Sequence, residues 1–336
     1  MRALTAIVPN PSLDRVEVVP ALAFGQALRA SQTLVWPGGS ATHAALVARA
    51  LGVASVTVIA PVGGTAGVQW AEDLRKRSIS ALTVDIAGST RSNISVLDAK
   101  GLTQVEVIER GPTLDETEAG EFAKIALSAV TRDSVVILSG SFPVGLELPF
   151  VTKLAHRADL LGATLVCDLG GPALGLALEA GVDWAKANLE EARSCWLVSN
   201  PGLAVKARAS NPVRVAHALS SWLQDIGPGA QDTNVVLTMG SDGALWRGTG
   251  GTYRLSAPRA RVFNPIGSGD AMVGAMAAAL CFDLDATQVA RWGAAAAAEN
   301  LAHPEPGTVN RPRFRRLLSA VVLEQLLDIQ DVATDT

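Results

Sequence analysis

The sequence predicts an α/β fold in which a mostly parallel sheet carries helices on both faces. Short β-branched or apolar runs alternate with stretches of helical period over most of the 336 residues, the pattern of repeated strand–helix–strand units. Hydrophobic residues make up 49% of the chain and charged residues 18%, so a large core can be buried and a disordered or charged-tail protein is excluded.

Taken in order, Leu4 to Val8 reads as the first strand, and its apolar run is too short, and too soon broken by Pro9, to be a secretory leader. Further strands are expected at Ser55 to Ala60, Leu82 to Ile86, Ser134 to Leu138, Thr164 to Cys167 and Asn234 to Thr238. Helical period marks Ala41 to Leu51, stopped by Gly52, and Thr117 to Val130. Two stretches depart from the alternation. Arg15 to Val19 with Leu28 to Val35, and Asn93 to Leu97 with Gln104 to Glu109, read as hairpin-like pairs with no helix between their strands. The second is joined by the turn Asp98-Ala99-Lys100-Gly101. Together they predict a small sheet beside the main one. The polar stretch Ser199 to Asn211 is expected as a surface loop, the alanine run Ala294 to Ala298 as helix, and the acidic end Asp328 to Thr336 as a fraying tail.

The formal charge of −4 and the absence of a Lys/Arg block give sequence-independent nucleic-acid binding no electrostatic footing. Any phosphate site must therefore be local. Cys167, Cys195 and Cys281 form no C-x-x-C, which points away from a disulfide framework or a cysteine zinc site and toward a reducing, cytoplasmic location. The longest apolar stretch, Ala271 to Phe282, falls well short of the ~20 residues that span a bilayer, and reads as a buried helix of small residues. His156 and His217 lie singly in helical stretches and His303 in a Pro-rich loop, so no histidine metal site is expected. No P-loop, dinucleotide fingerprint, nucleophile elbow or zinc-protease motif is present.

Several short segments carry chemistry. In Asn264-Pro265-Ile266-Gly267-Ser268-Gly269-Asp270 a glycine-rich turn runs into the small-residue helix, aiming backbone N–H groups and the positive end of the helix dipole at one point. A carboxylate beside such an anion site has a purpose if it takes a proton from a hydroxyl attacking phosphorus. The same pattern also describes an ordinary helix start with Asp in the first turn. Pro37-Gly38-Gly39-Ser40-Ala41-Thr42-His43 precedes a helix and offers hydroxyl and imidazole partners suited to sugar hydroxyls. Asp14 follows the first strand, near the strand end where open α/β sheets place ligands, or serves as a turn residue. Asn188 and Glu191 stand three apart at a helix start, spaced either to hold Mg²⁺ or to form a capping box. Val236 to Gly243 reads as a buried strand ending in a small polar turn, fit for a nucleotide-binding edge or a plain hairpin entry.

In this order the segments resemble the PfkB/ribokinase-like carbohydrate kinase family, in the branch of 1-phosphofructokinase and tagatose-6-phosphate kinase. The family's N-P-x-x-D matches Asn10 to Asp14, its G-G helix start Gly38-Gly39 and its T-R Thr90-Arg91. Its G-S-x-P-x-G matches Gly140 to Gly145, its K-P-N-x-x-E Lys186 to Glu191, and its N-x-x-G-x-G-D Asn264 to Asp270. The resemblance implies a ribokinase-like three-layer sandwich over residues 1–330, with a mostly parallel central sheet and a small β lid built from insertions at about 12–36 and 91–110, and residues 331–336 as tail. It also implies ATP and Mg²⁺ as cofactors, a sugar or sugar-phosphate substrate, and a homodimer through the lid. Asp270 would be the base, with Gly267, Ser268 and Gly269 as the anion hole. Lys186, Asn188, Thr238, Gly240, Gly243 and Asn264 would meet ATP, and Asn188 and Glu191 the metal. Asp14, Gly38, Gly39, Ser40, His43, Arg91 and Ser139 would meet the sugar, Arg91 through a phosphate already on it.

Four positions depart from the pattern. Ser40 stands where this branch usually has Lys, and His43 where it usually has Asn, both substrate contacts. Ala187 replaces the usual Pro, and Val144 a frequent Lys or Pro.

Overall fold

The computed structural model describes residues 1–23, 25–99, 104–199, 219, 222–248 and 250–326. Strands β1 (Leu4–Ile7), β4 (Val56–Val62), β5 (Ser80–Asp85), β8 (Val135–Ser139), β9 (Thr164–Asp168), β10 (Trp184–Asn188) and β11 (Asn234–Thr238) lie parallel in the order β11-β10-β9-β8-β1-β4-β5. Beyond β11 the sheet continues antiparallel through β12 (Ala244–Gly248), β13 (Gly251–Leu255) and β14 (Leu323–Leu326), making ten strands.

Strand side chains alternate between the faces, and each face has its own core. Leu4, Ala6 and Val8 of the first strand and its exit join one core with Val56, Val58 and Ala60, whereas Ile7 and Ile59 join the other. The first is covered by α1 (Ser40–Leu51), α2 (Gly64–Lys76), α8 (Ser268–Cys281), α9 (Ala286–Asn300) and α10 (Arg311–Ala320). The second is covered by α3 (Glu116–Ser128), α4 (Pro149–Leu161), α5 (Gly171–Glu179), α6 (Leu189–Ser199) and α7 (Pro228–Asp232). The expected helices over Thr117 to Val130 and Ala271 to Phe282 are α3 and α8, each displaced by a residue or more.

Helix α8 is built of small residues so that α1 can lie against it. A Cβ on Gly274 would overlap the backbone carbonyl of Ala44. This close approach sets the site, because Asp270 stands one turn before Gly274 on the same helical face and His43 precedes Ala44.

The small sheet holds β2 (Ser12–Val19), β3 (Gln32–Gly38), β6 (Arg91–Asp98) and β7 (Gln104–Ile108), in the order β3-β2-β6-β7. Both expected antiparallel pairs are present, and they join through a parallel β2–β6 pairing. The second strand runs from Gln32 to Gly38 rather than from Leu28 to Val35, because its end is held from the core. The indole of Trp70, fully buried on α2, donates to the Gly38 carbonyl at 3.0 Å. Asp14 lies within β2, not in a turn before it. Of the turn at Asp98 to Gly101, residues 100 and 101 lie outside the described residues; so do the Ser199 to Asn211 loop, save Ser199 at the end of α6, and the Asp328 to Thr336 tail. Among the described residues no helix is long and apolar enough to cross a membrane.

Candidate active site

The site forms where the carboxyl ends of β8, β9 and β10 and the amino ends of α1 and α8 meet the small sheet. Asp14, in β2, lies opposite Asn93 of β6 and is buried. Its Oδ1 accepts from Ser12 Oγ at 2.7 Å and Asn93 Nδ2 at 2.9 Å. Gly38, at the end of β3, has no side chain because Asp14 needs the space; a Cβ there would overlap the carboxylate.

His43, on the first turn of α1, stands between Asp14 and Asp270. Its Nδ1 is 2.8 Å from Asp270 Oδ2, and its Nε2 is 3.1 Å from Asp14 Oδ2, an ion-pair contact aligned too poorly for a hydrogen bond. Burial works to lower the His43 pKa, but the two carboxylates outweigh it and raise it to about 10. Burial likewise works to raise the Asp14 pKa, and the His43 contact and charge, with Ser12 and Asn93, hold it below the ordinary value. His43 was expected to face sugar hydroxyls. It is 4% exposed and committed to protein carboxylates instead.

Asp270 lies in the first turn of α8, whose N-cap, Gly267, offers no side-chain acceptor to the helix. The first-turn N–H groups of Gly269 and Asp270 are therefore placed as an anion site, while that of Ser268 donates to the Pro265 carbonyl at 3.4 Å. Lys186 comes close to this turn, and a Cβ on Gly269 would lie 2.8 Å from its Nζ.

A second cluster lies side by side on β8, β9 and β10. Asp168 is in register with Ser139 and Lys186, accepting from Ser139 Oγ at 3.2 Å and Lys186 Nζ at 2.9 Å. Burial pushes the Asp168 pKa up and works to push Lys186 down. For Lys186 the carboxylates of Asp168 and Glu191 prevail and its pKa is raised. Ser139 was expected against the substrate; it is fully buried and holds Asp168. A cavity of about 440 Å³ connects both clusters, lined among others by Ser40, Gly140, Asp168, Lys186, Glu191 and Asp270.

Asn188 ends β10 and caps α6. Its Oδ1 accepts from the N–H groups of Glu190 and Glu191 at 2.9 and 2.8 Å, and Glu191 Oε2 accepts from Asn188 N at 2.8 Å. This is a capping box, and it fills the acceptor positions of Asn188 that direct metal ligation would use. Asn264 is fully buried: Nδ2 donates to Pro304 O at 2.7 Å and Oδ1 accepts from Ile266 N at 3.0 Å, so it shapes the loop before α8. Arg91 was expected to reach a sugar phosphate. Its Nη1 and Nη2 donate to the carbonyls of Glu109 and Asn10, both at 3.0 Å, which ties β6 to the loop after β1. Gly39 begins α1 as its N-cap. Thr238 closes β11, and Gly240 and Gly243 flank the single turn that follows, beside Asn188 but outside the cavity.

Sequence reasoning missed Asp168, Ser12, Asn93 and Glu106. Glu106 stands opposite Ser95 on the face of the small sheet that carries Asn93, and its pKa is raised by burial and by the charges of Asp14 and Asp270. Asp168 had a signal: it ends an apolar strand one residue before Gly170-Gly171, where the next helix begins.

Two curated relatives align over most of their length. ATP-dependent 6-phosphofructokinase isozyme 2 of Escherichia coli is 28% identical over 288 residues, 85% of this chain and 88% of the relative. Tagatose-6-phosphate kinase of Staphylococcus epidermidis is 26% identical over 318 residues, 93% and 96% of the two chains. The crystal structure of Escherichia coli phosphofructokinase-2 in complex with substrates and products superposes with a TM-score of 0.81 at 25% identity, covering 95% of this chain and 99% of that one. The profile described as pfkB family carbohydrate kinase matches residues 10–312. With the parallel sheet, the small second sheet and the paired carboxylate clusters in place, the chain belongs to the pfkB family of carbohydrate kinases.

Proposed function

We propose that the protein transfers the γ-phosphate of ATP to a hydroxyl of a sugar or sugar phosphate, of the fructose-1-phosphate or tagatose-6-phosphate type. The observation that carries this reading is Asp270, held by one oxygen at the mouth of a helix N-terminus and lining a cavity with Lys186, Asp168 and Glu191. In this reading Asp270 Oδ1 takes the hydroxyl proton as the hydroxyl oxygen bonds to phosphorus. The bond from phosphorus to the β–γ bridging oxygen breaks, and ADP leaves with that electron pair. The α8 N–H groups of Gly269 and Asp270 and the Lys186 ammonium meet the charge on the transferring group. Asp14 and the Gly38-Gly39 loop hold sugar hydroxyls.

Mg²⁺ fits the donor set in one way. Asn188 is committed to its cap, and both oxygens of Asp168 accept from Ser139 and Lys186, so Glu191 would hold the ion, largely through water, with Asn188 fixing Glu191. A bound Mg²⁺ supplies charge neutralisation between the phosphates. The chain is read as one catalytic domain over 1–330 in which the small sheet acts as a lid, excluding water that would hydrolyse ATP. Ile94 and Val107, a directly paired and exposed couple on that sheet, are apolar surface that fits pairing of two copies.

A second reading, an unphosphorylated sugar or nucleoside as acceptor, draws on three observations. Ser40 lines the cavity, two Arg91 nitrogens are occupied by backbone, and Glu106 adds a negative charge felt by Asp14 and Asp270. ATP consumption across ketohexose phosphates, free sugars and nucleosides tests both. Turnover confined to phosphorylated ketohexoses supports the first and turnover of free sugars or nucleosides the second. Tight binding with no turnover overturns both and marks a ligand-binding regulator.

A further inference from the structure

We propose that His43 is a positioning residue whose doubly protonated ring ties Asp270 to Asp14, fixing one oxygen of the base and leaving the other for the acceptor hydroxyl. The proposal rests on Asp270 as base. Its geometric ground is that both ring nitrogens face carboxylate oxygens, at 2.8 and 3.1 Å. A neutral imidazole has a single N–H. In that form the buried ring would stand between two carboxylates with no positive charge to offset them, and only the imidazolium both donates to Asp270 and presents its charge to Asp14.

The bond from His43 is the sole side-chain hydrogen bond to Asp270 among the described residues. Asp14, by contrast, is also held by Ser12 and Asn93. His43 therefore passes the rigidity of the β2–β6 pairing on to the base, across the α1–α8 contact made possible by Gly274. It also leaves the two carboxylates and the ring with one net negative charge instead of two, which lowers the repulsion met by an incoming phosphoryl group. The charged groups around the ring are Asp14 from β2, Asp270 from α8 and Glu106 from β7. Arg91 of β6 acts on Asp14, and Asp168 and Lys186 act on Asp270 from β9 and β10.

The test uses full-length protein labelled with ¹⁵N-histidine, the ring signals being assigned by comparison with His43→Asn. The expected result is a His43 ring doubly protonated from pH 6 through 8.5, and a ring that loses this state at lower pH in Asp14→Asn or Asp270→Asn. In parallel, kcat of His43→Asn and His43→Ala should fall roughly 10- to 100-fold, the scale of a mispositioned catalytic group, with KM for ATP unchanged. Wild-type kcat should decline near pH 10, a limb absent from both variants. A singly protonated His43 ring at pH 7, or undiminished kcat in His43→Ala, would overturn the proposal. Should His43→Ala fail to fold, the wild-type ring signals and His43→Asn still decide it. Ring protonation is read without turnover, so an inactive protein would sink the kinase reading while leaving the tie itself tested.

Discussion

Lys186 Nζ lies 2.9 Å from Asp168 Oδ1 in the floor of the site, with side chains only 7% and 8% exposed. Two charges held out of water depend on each other, and removing one leaves the other buried without compensation. Lys186→Met should therefore cost roughly 3–5 kcal/mol, the usual penalty for breaking a buried pair. The pair of substitutions Lys186→Met with Asp168→Leu should recover much of that loss. Urea midpoints of the single and double variants at constant slope are the measurement. A single variant as stable as wild type would show that the pair contributes nothing.

Asp270→Asn should lower kcat by at least ~10²-fold, the lower end of the range for loss of a general base. The amide keeps the shape of the carboxylate, so the protein should stay folded, with an unfolding midpoint lowered by the loss of the charge that faces the His43 ring. Single-turnover phosphorylation separates the chemical step from product release, and a near-normal rate would remove Asp270 from the mechanism.

Gly38→Ala places a methyl group into the Asp14 carboxylate, which Ser12, Asn93 and His43 hold on its other sides. Relief requires moving the carboxylate or the end of β3. Overpacking of this kind costs typically ~1–3 kcal/mol. The functional loss should appear as a rise of about tenfold or more in acceptor KM, the equivalent of ~1.4 kcal/mol, with ATP binding unaffected. Calorimetric titration with acceptor and with ATP separates the two.

The parts of this architecture legible in the sequence are those with local patterns. The alternating strands β1, β4 and β8, the small-residue helix α8 and the glycine turn before it follow from periodicity and from glycine placement. β10 was hidden because Lys186 sits inside it: the run Trp-Ala-Lys-Ala-Asn has the polarity of a surface segment, and only the register with Asp168 explains a buried lysine. The parallel pairing of β2 with β6 joins segments about eighty residues apart, and no local signal specifies it. The same holds for the roles of His43, Arg91, Asn264 and Ser139. Each was picked out for a polar side chain near a motif, and each turned out to bond to protein, since which groups face the cavity depends on how α1, α8 and the small sheet converge.

The His43–Asp14 contact gives stability a two-sided pH dependence. The His43 pKa is raised from 6.5 to about 10 in the folded protein, so its contribution is fully present below about 6.5 and is lost as pH rises through about 10. The Asp14 pKa is lowered from 3.8, so its contribution is present above about 3.8 and is lost as pH falls through the folded value. Relative to His43→Asn, the wild-type melting temperature should be highest on a plateau between about pH 3.8 and 6.5, the two unperturbed values. The difference should shrink steadily toward pH 10 and shrink again in acid. Scanning both proteins by calorimetry across pH 3–10 checks this, and a difference that is flat above pH 6.5 would mean that His43 carries no extra proton in the folded state. Salt should alter the plateau little, because the ring and the Asp14 carboxylate are both buried and screening acts mainly on exposed charges.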